Sequence, residues 1–158
     1  MNKSNILLES KKYTEGLKFS KEGLLKYPND IKLRNNFGIF LFECGHQNEA
    51  LKLYQQFDDK SIHFVDSYLN YSNILIKINN YTKALSILNE LLLLDQKNLN
   101  ALRQRAYIYK NFSEYKKAEE DLSLSIKIED SNFLNNKSIV ELYIDTKEYQ
   151  NAILYCEK

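Results

Sequence analysis

Residues Asn100 to Asp130, NALRQRAYIYKNFSEYKKAEEDLSLSIKIED, read as two amphipathic helices joined by a tight turn, with the small residues Ala106 and Ala118 where the helices must touch. From Ala118, steps of 34 residues reach Ala84, Ala50 and Gly16 in one direction and Ala152 in the other. Five small residues at one unbroken interval, each inside a helical pattern, mark a chain of stacked helix–turn–helix units. The expected fold is all-α: a solenoid of antiparallel helix pairs, about four and a half repeats long. The units fall at approximately 1–29, 30–60, 61–94, 95–128 and 129–158 of one solenoid, the last of them truncated.

Composition agrees with an all-helical reading. One Pro and four Gly in 158 residues leave little with which to build β-turns. An apolar fraction of 44% with 27% charged residues is that of a folded domain. Lys and Arg (22) nearly balance Asp and Glu (21), and the formal charge of +1 gives no bulk attraction for nucleic acid or an anionic membrane. The longest apolar run, Leu91 to Leu94, is far short of a span, and Met1 opens a polar segment with no signal-peptide core behind it. The cytoplasm is the expected location. Cys44 and Cys156 lack CxxC or Cys/His spacing and read as small buried apolar residues.

Each unit carries its own punctuation. In the first, Tyr13, Gly16, Leu17 and Ser20 recur at helical spacing, and Pro28 stops the helix because proline cannot continue the hydrogen-bond ladder. Asp30 is the expected N-cap of the next helix. The second unit turns at Gly45-His46 and continues through Ala50, Tyr54 and Phe57; the third turns at Asn79-Asn80, asparagine being the next best residue for a left-handed turn. The fourth turns at Asn111-Phe112-Ser113, with Ser113 placed to cap the following helix, and the fifth at Thr146-Lys147.

This phasing resembles the tetratricopeptide repeat, whose unit wants a small residue at its eighth and twentieth positions. Aligned on the Gly16-Ala50-Ala84-Ala118-Ala152 column, the eighth position holds Ser4, Gly38, Ser72, Ala106 and Val140, and Pro28 falls on the family's terminal proline. Val140 is large for its column, Arg34 and Asn136 are polar where the fourth position is usually apolar, and the later units lack the proline. The resemblance covers nearly the whole chain and implies a right-handed superhelical solenoid. In this phasing the last unit ends before its second helix is finished, so that helix is expected to fray or to self-associate through Ile153 and its apolar neighbours.

Nothing in the sequence converges into a catalytic, metal or cofactor site. His46 lies at a turn and His63 in a connection, neither with a partner at ligand spacing, and no glycine-rich phosphate loop is present. Glu119, Glu120 and Asp121 are consecutive on a helix and so are spread around it. No enzyme activity is expected; the surface is what remains.

The resemblance implies that the first helices of successive units line a concave face, on which a protein or peptide segment binds. Its sixth column reads Asn2, Asn36, Asn70, Gln104 and Ser138, side chains whose amides both donate and accept. This looks like the asparagine ladder in the repeats of O-linked N-acetylglucosamine transferases; the competing reading is that these amides bond a neighbouring helix. Around them stand Ile39, Phe42, Asn73, Ile76, Arg103 and Tyr107, a mixed groove with apolar anchors. The two-carboxylate clamp of the chaperone-tail binders is rejected, since in no register do its cations appear: starting at the second unit, only Asn70 of Asn35, Ile39, Asn70, Asn100 and Gln104 fits. Two alternatives stay open at this point: the recruiting arm of a larger enzyme, such as a glycosyltransferase or sulfotransferase, and a module that assembles with itself.

Overall fold

A computed structural model describes residues 3–56, 65–129 and 133–156, and these are helical with no strand among them. Asn2, Phe57 and His63, singled out above, lie outside the described residues. The helices are α1 (Lys3–Glu9), α2 (Tyr13–Lys26), α3 (Ile31–Glu43), α4 (Gln47–Gln55), α5 (Val65–Lys77), α6 (Tyr81–Leu94), α7 (Leu99–Asn111), α8 (Tyr115–Ile128), α9 (Phe133–Asp145) and α10 (Tyr149–Cys156). Leading helices start at Ile31, Val65, Leu99 and Phe133, and trailing helices at Tyr13, Gln47, Tyr81, Tyr115 and Tyr149. Both sets of starts recur at the 34-residue interval of the small-residue column.

The turns repeat just as strictly. Lys11, Gly45, Asn79, Ser113 and Lys147 all take positive φ, between 55° and 88°. Each turn closes by the same backbone pair: His46 N–H donates to Leu41 O at 2.8 Å and Gly45 N–H to Phe42 O at 3.0 Å, and the other four turns repeat the pattern. This is the Schellman closure, which satisfies carbonyls the helix end leaves open. It also corrects one expectation. Ser113 does not cap α8 but occupies the left-handed position; the cap falls one residue later, on Glu114, which makes no side-chain cap bond. Asp30 caps as expected, accepting from Leu33 N–H at 2.9 Å, and Asn98 does the same for Ala101 at 3.0 Å.

A Cβ placed on Gly45 meets nothing within 4 Å, so the whole cost of a side chain there is backbone conformation. Gly45→Ala is therefore expected to destabilise by about 1 kcal/mol. Ser113→Gly, relieving the same strain, should shift stability the other way by less than about 1 kcal/mol. Urea midpoints measured at unchanged m-value check both.

The chain's contacts divide into two compact units, residues 1–74 and 75–158. In the first, α2 packs on α1 and α3, α3 on α4, and α1 also reaches α3. Gly16 and Ala50 are buried there, and the Phe40 ring lies so close over Gly16 that a Cβ on the glycine would stand 2.1 Å from its Cε1. In the second unit α7 packs on α6 and α8, α8 on α9, and α9 on α10. Ala84 and Ala118 are fully buried, and Ala106, Leu122, Ile126, Ile139 and Leu142 form one core with Ala118 and Ala152. The small residues thus sit where the helices approach most closely, and an isolated pair could not bury this surface alone. The cysteines differ from expectation: Cys44 is half-buried and Cys156 exposed, both as free thiols, the latter because no described helix covers that side of α10.

Candidate functional site

The nine residues expected to line a groove lie on α3, α5 and α7. In the first unit the sixth-column amide is committed to the scaffold. Asn36 is buried, and its Nδ2 donates to Ser4 Oγ at 3.0 Å and to Asn5 Oδ1 at 2.8 Å, tying α3 to α1. Of the two readings left open for this column, burial against α1 gives Asn36 the helix-bridging one. Its neighbour Asn35 is also buried, accepting from the Tyr54 hydroxyl through its carbonyl at 2.9 Å and its side chain at 3.2 Å. Gly38 leaves room for that phenol, since a Cβ there would lie 2.6 Å from the Tyr54 ring. The ring stacks on Tyr71 at 5.6 Å, and burial pushes the Tyr54 phenol well above its ordinary pKa. What this unit offers to solvent is therefore Ile39, Phe42 and Asn70, each half-buried, and the exposed Asn73.

In the second unit α7 presents more. Tyr107 is 45% exposed, and Tyr81 meets it edge-on at 6.4 Å while packing perpendicular to Phe112 at 6.0 Å. Such edge contacts hold an aromatic side chain in place before any ligand arrives. Arg103 is half-buried; one guanidinium nitrogen donates to Asn100 Oδ1, and its Nη1 has no hydrogen-bond partner. Burial lowers the Arg103 pKa, with Glu129 opposing. Gln104 and Ile76 are half-buried. Lys110 reaches Asp145 of α9 at 2.9 Å. Between α7 and α9 a cleft of ≈ 40 Å³ is lined by Arg103, Tyr107, Lys110, Ser138 and Glu141. That is room for water and not for a side chain.

Two parts of this arrangement escaped the sequence. Phe112 was read as a turn residue, yet it packs on Tyr81, which in turn meets Tyr107; an aromatic in the turn column was the available signal. Arg105 of α7 binds Asp121 of α8 in bidentate fashion, Nε to Oδ2 at 2.8 Å and Nη2 to Oδ1 at 2.6 Å. The acidic run does diverge: Asp121 is buried on Arg105, Glu119 accepts from Tyr143 at 2.7 Å, and Glu120 is exposed. His46 stands exposed beside Glu49 at 3.0 Å. Among the described residues no three His, Cys, Asp or Glu side chains gather as a metal site, and no helix is long and apolar enough to cross a membrane.

Residues 65–98 match the tetratricopeptide repeat family. Human sperm-associated antigen 1 is 31% identical over 111 residues, which take in 70% of this chain and 12% of that protein. The chain thus spans about one-eighth of that curated relative's length. Among solved structures, a tetratricopeptide-repeat protein of Thermus thermophilus superposes with a TM-score of 0.80 at 18% identity, over 96% of this chain and 84% of its own. MamA of Desulfovibrio magneticus gives 0.76 at 17% identity, over 98% of this chain and 87% of its own. At such identities the likeness establishes the fold.

Proposed function

We propose that this chain, which belongs to the tetratricopeptide-repeat family, is a scaffold that holds a protein segment against its leading helices. Proteins of this family are in general non-catalytic and serve protein–protein interaction, so the proposal concerns where and how this one binds. The observation that carries it is Tyr107: a large side chain 45% exposed in a groove column, held by Tyr81, beside the half-buried Arg103 and Gln104. A rigid amphipathic ring can bury much area on binding while losing little conformational freedom, which is why tyrosine is enriched among interface hot spots. Gln104 supplies a donor and an acceptor for a peptide backbone. In the first unit Asn70, Asn73, Ile39 and Phe42 occupy the corresponding columns, whereas Asn36 supports the helices.

The test uses a partner recovered from the native cell and then purified. Tyr107→Ala is expected to weaken its binding roughly thirtyfold or more, the scale of a hot spot, with little change in melting temperature. Asn36→Ala should do the reverse, lowering the melting temperature through two lost hydrogen bonds and leaving affinity within about threefold. Unchanged affinity in Tyr107→Ala overturns the reading. A second reading takes the repeats as one part of a longer protein, as the matched stretch is in the human relative, of which it makes up 12%. It would use the same face.

A further inference from the structure

The helix that carries Tyr107 has three cations, Arg103, Arg105 and Lys110, and no carboxylate. Two of them are answered from neighbouring helices, Arg105 by both oxygens of Asp121 on α8 and Lys110 by Asp145 of α9 at 2.9 Å. Arg103, one turn before Tyr107 on the same face, makes no ion pair among the described residues. It donates to the neutral Asn100 Oδ1, while its Nη1, shielded from solvent, bonds nothing. Burial lowers the Arg103 pKa by more than Glu129 restores, whereas Asp121 raises that of Arg105. The Arg103 guanidinium lines the cleft between α7 and α9 beside Tyr107, and the one carboxylate in that lining, Glu141, stands 3.8 Å from Lys137 instead. Of the cations on α7, the one left without a counter-charge is the one beside the exposed ring.

We infer that Arg103 receives an aspartate or glutamate side chain of the bound segment, set next to an apolar residue that covers Tyr107. This rests on the segment-binding reading above and names the chemistry of its ligand. Residues four apart on a helix face stand about 5–6 Å from each other at their Cβ atoms, so neighbouring residues of one segment can reach both. A carboxylate on a guanidinium makes charge-assisted hydrogen bonds, roughly twice as strong as neutral ones. Arg103 is partly desolvated before the segment arrives, so less of that attraction is lost in stripping water from it. A basic segment would be repelled by Arg103, and a neutral one would leave the guanidinium uncompensated. One guanidinium beside a ring is a different device from the two-carboxylate clamp set aside above, which needs a set of cations.

The test is an NMR titration of the isotope-labelled 158-residue chain with short synthetic peptides. Each peptide has one leucine in a glycine–serine background, flanked on both sides by aspartate, by asparagine or by lysine. All are acetylated and amidated, so that a side-chain carboxylate is the only anion offered. The aspartate peptide is expected to bind roughly tenfold more tightly than its asparagine isostere, and the lysine peptide more weakly than either. Shifts should centre on Arg103 and Tyr107. Arg103→Gln should bring the aspartate and asparagine peptides within about twofold of each other, and Arg103→Lys, which keeps the charge without the fork, should retain part of the preference. Tyr107→Ala should weaken both peptides and leave their ratio standing. Because the comparison of isosteric peptides is made first on the unaltered chain, it holds even if a variant fails to fold. Equal binding of the aspartate and asparagine peptides overturns the inference, as does a preference that survives Arg103→Gln or the absence of any binding. Binding that depends on Tyr107 but not on the carboxylate would leave the segment-binding reading intact, so the two failures are told apart.

Discussion

Phe40→Ala is expected to lower the unfolding free energy by about 3–5 kcal/mol, the scale for truncating a fully buried phenylalanine. For a chain of this length the melting temperature should fall by about 10 °C or more. The ring has no exposed surface and fills the space that Gly16 leaves open between α2 and α3. The same geometry makes a prediction from the other side. A Cβ on Gly16 would stand 2.1 Å from Phe40 Cε1 and 2.2 Å from Cζ, so Gly16→Ala must displace a ring that has nowhere to go. That overpacking should cost roughly 1–3 kcal/mol. Because the two residues contend for one volume, Gly16→Ala combined with Phe40→Leu should be less damaging than the sum of the single changes. Urea titrations of the four proteins in that cycle decide it; strict additivity would mean that the glycine and the ring do not share the space.

How much of this was legible in the chain depends on the range of the interaction. The small-residue column was readable because close helix approach excludes side chains at fixed places, and Ala50, Ala84 and Ala118 are all fully buried. Turns announced by Gly45 and Asn79 were readable for the same local reason. The equivalent positions in other units hold Lys11, Ser113 and Lys147, residues that carry no left-handed signal; closure of the helix end and packing of the pair outweigh a backbone cost of about 1–2 kcal/mol. Of the site, Tyr107 was visible as a large residue in a surface column. The role of Asn36 was visible only as one of two readings of its column, because the position of Ser4 and Asn5 on α1 decides where its hydrogens go. Arg105 and Asp121 were invisible as a pair: nothing in two charges on different helices says that they face each other. Cys156 was misjudged because burial depends on what covers a helix, which its own spacing does not contain.

That ion pair supports the other large prediction. Arg105 grips both oxygens of Asp121, donates from Nη1 to Asn89 Oδ1 at 2.9 Å, and lies over the Tyr109 ring at 5.9 Å. Its hydrogen bonds to Asp121 raise the guanidinium pKa, while burial works against them. Asp121 itself is 5% exposed. Arg105→Met therefore leaves a buried carboxylate with no cation, and the expected loss is about 3 kcal/mol. This is the lower end for buried pairs, because the arginine side chain is 22% exposed and water can reach it. Replacing both partners, Arg105→Met with Asp121→Leu, removes the stranded charge along with the attraction, so most of the loss should be recovered. The outcome separates two roles for the pair. Recovery in the double variant means that the pair's net contribution is small and that what α7 and α8 cannot tolerate is half of it. If the double variant stays as unstable as the single, the guanidinium is needed for what only it can do, joining Asn89 of α6 to Asp121 of α8 across α7. In that case Asn89→Ala should weaken the same unit, and amide exchange in α6 to α8 should quicken together.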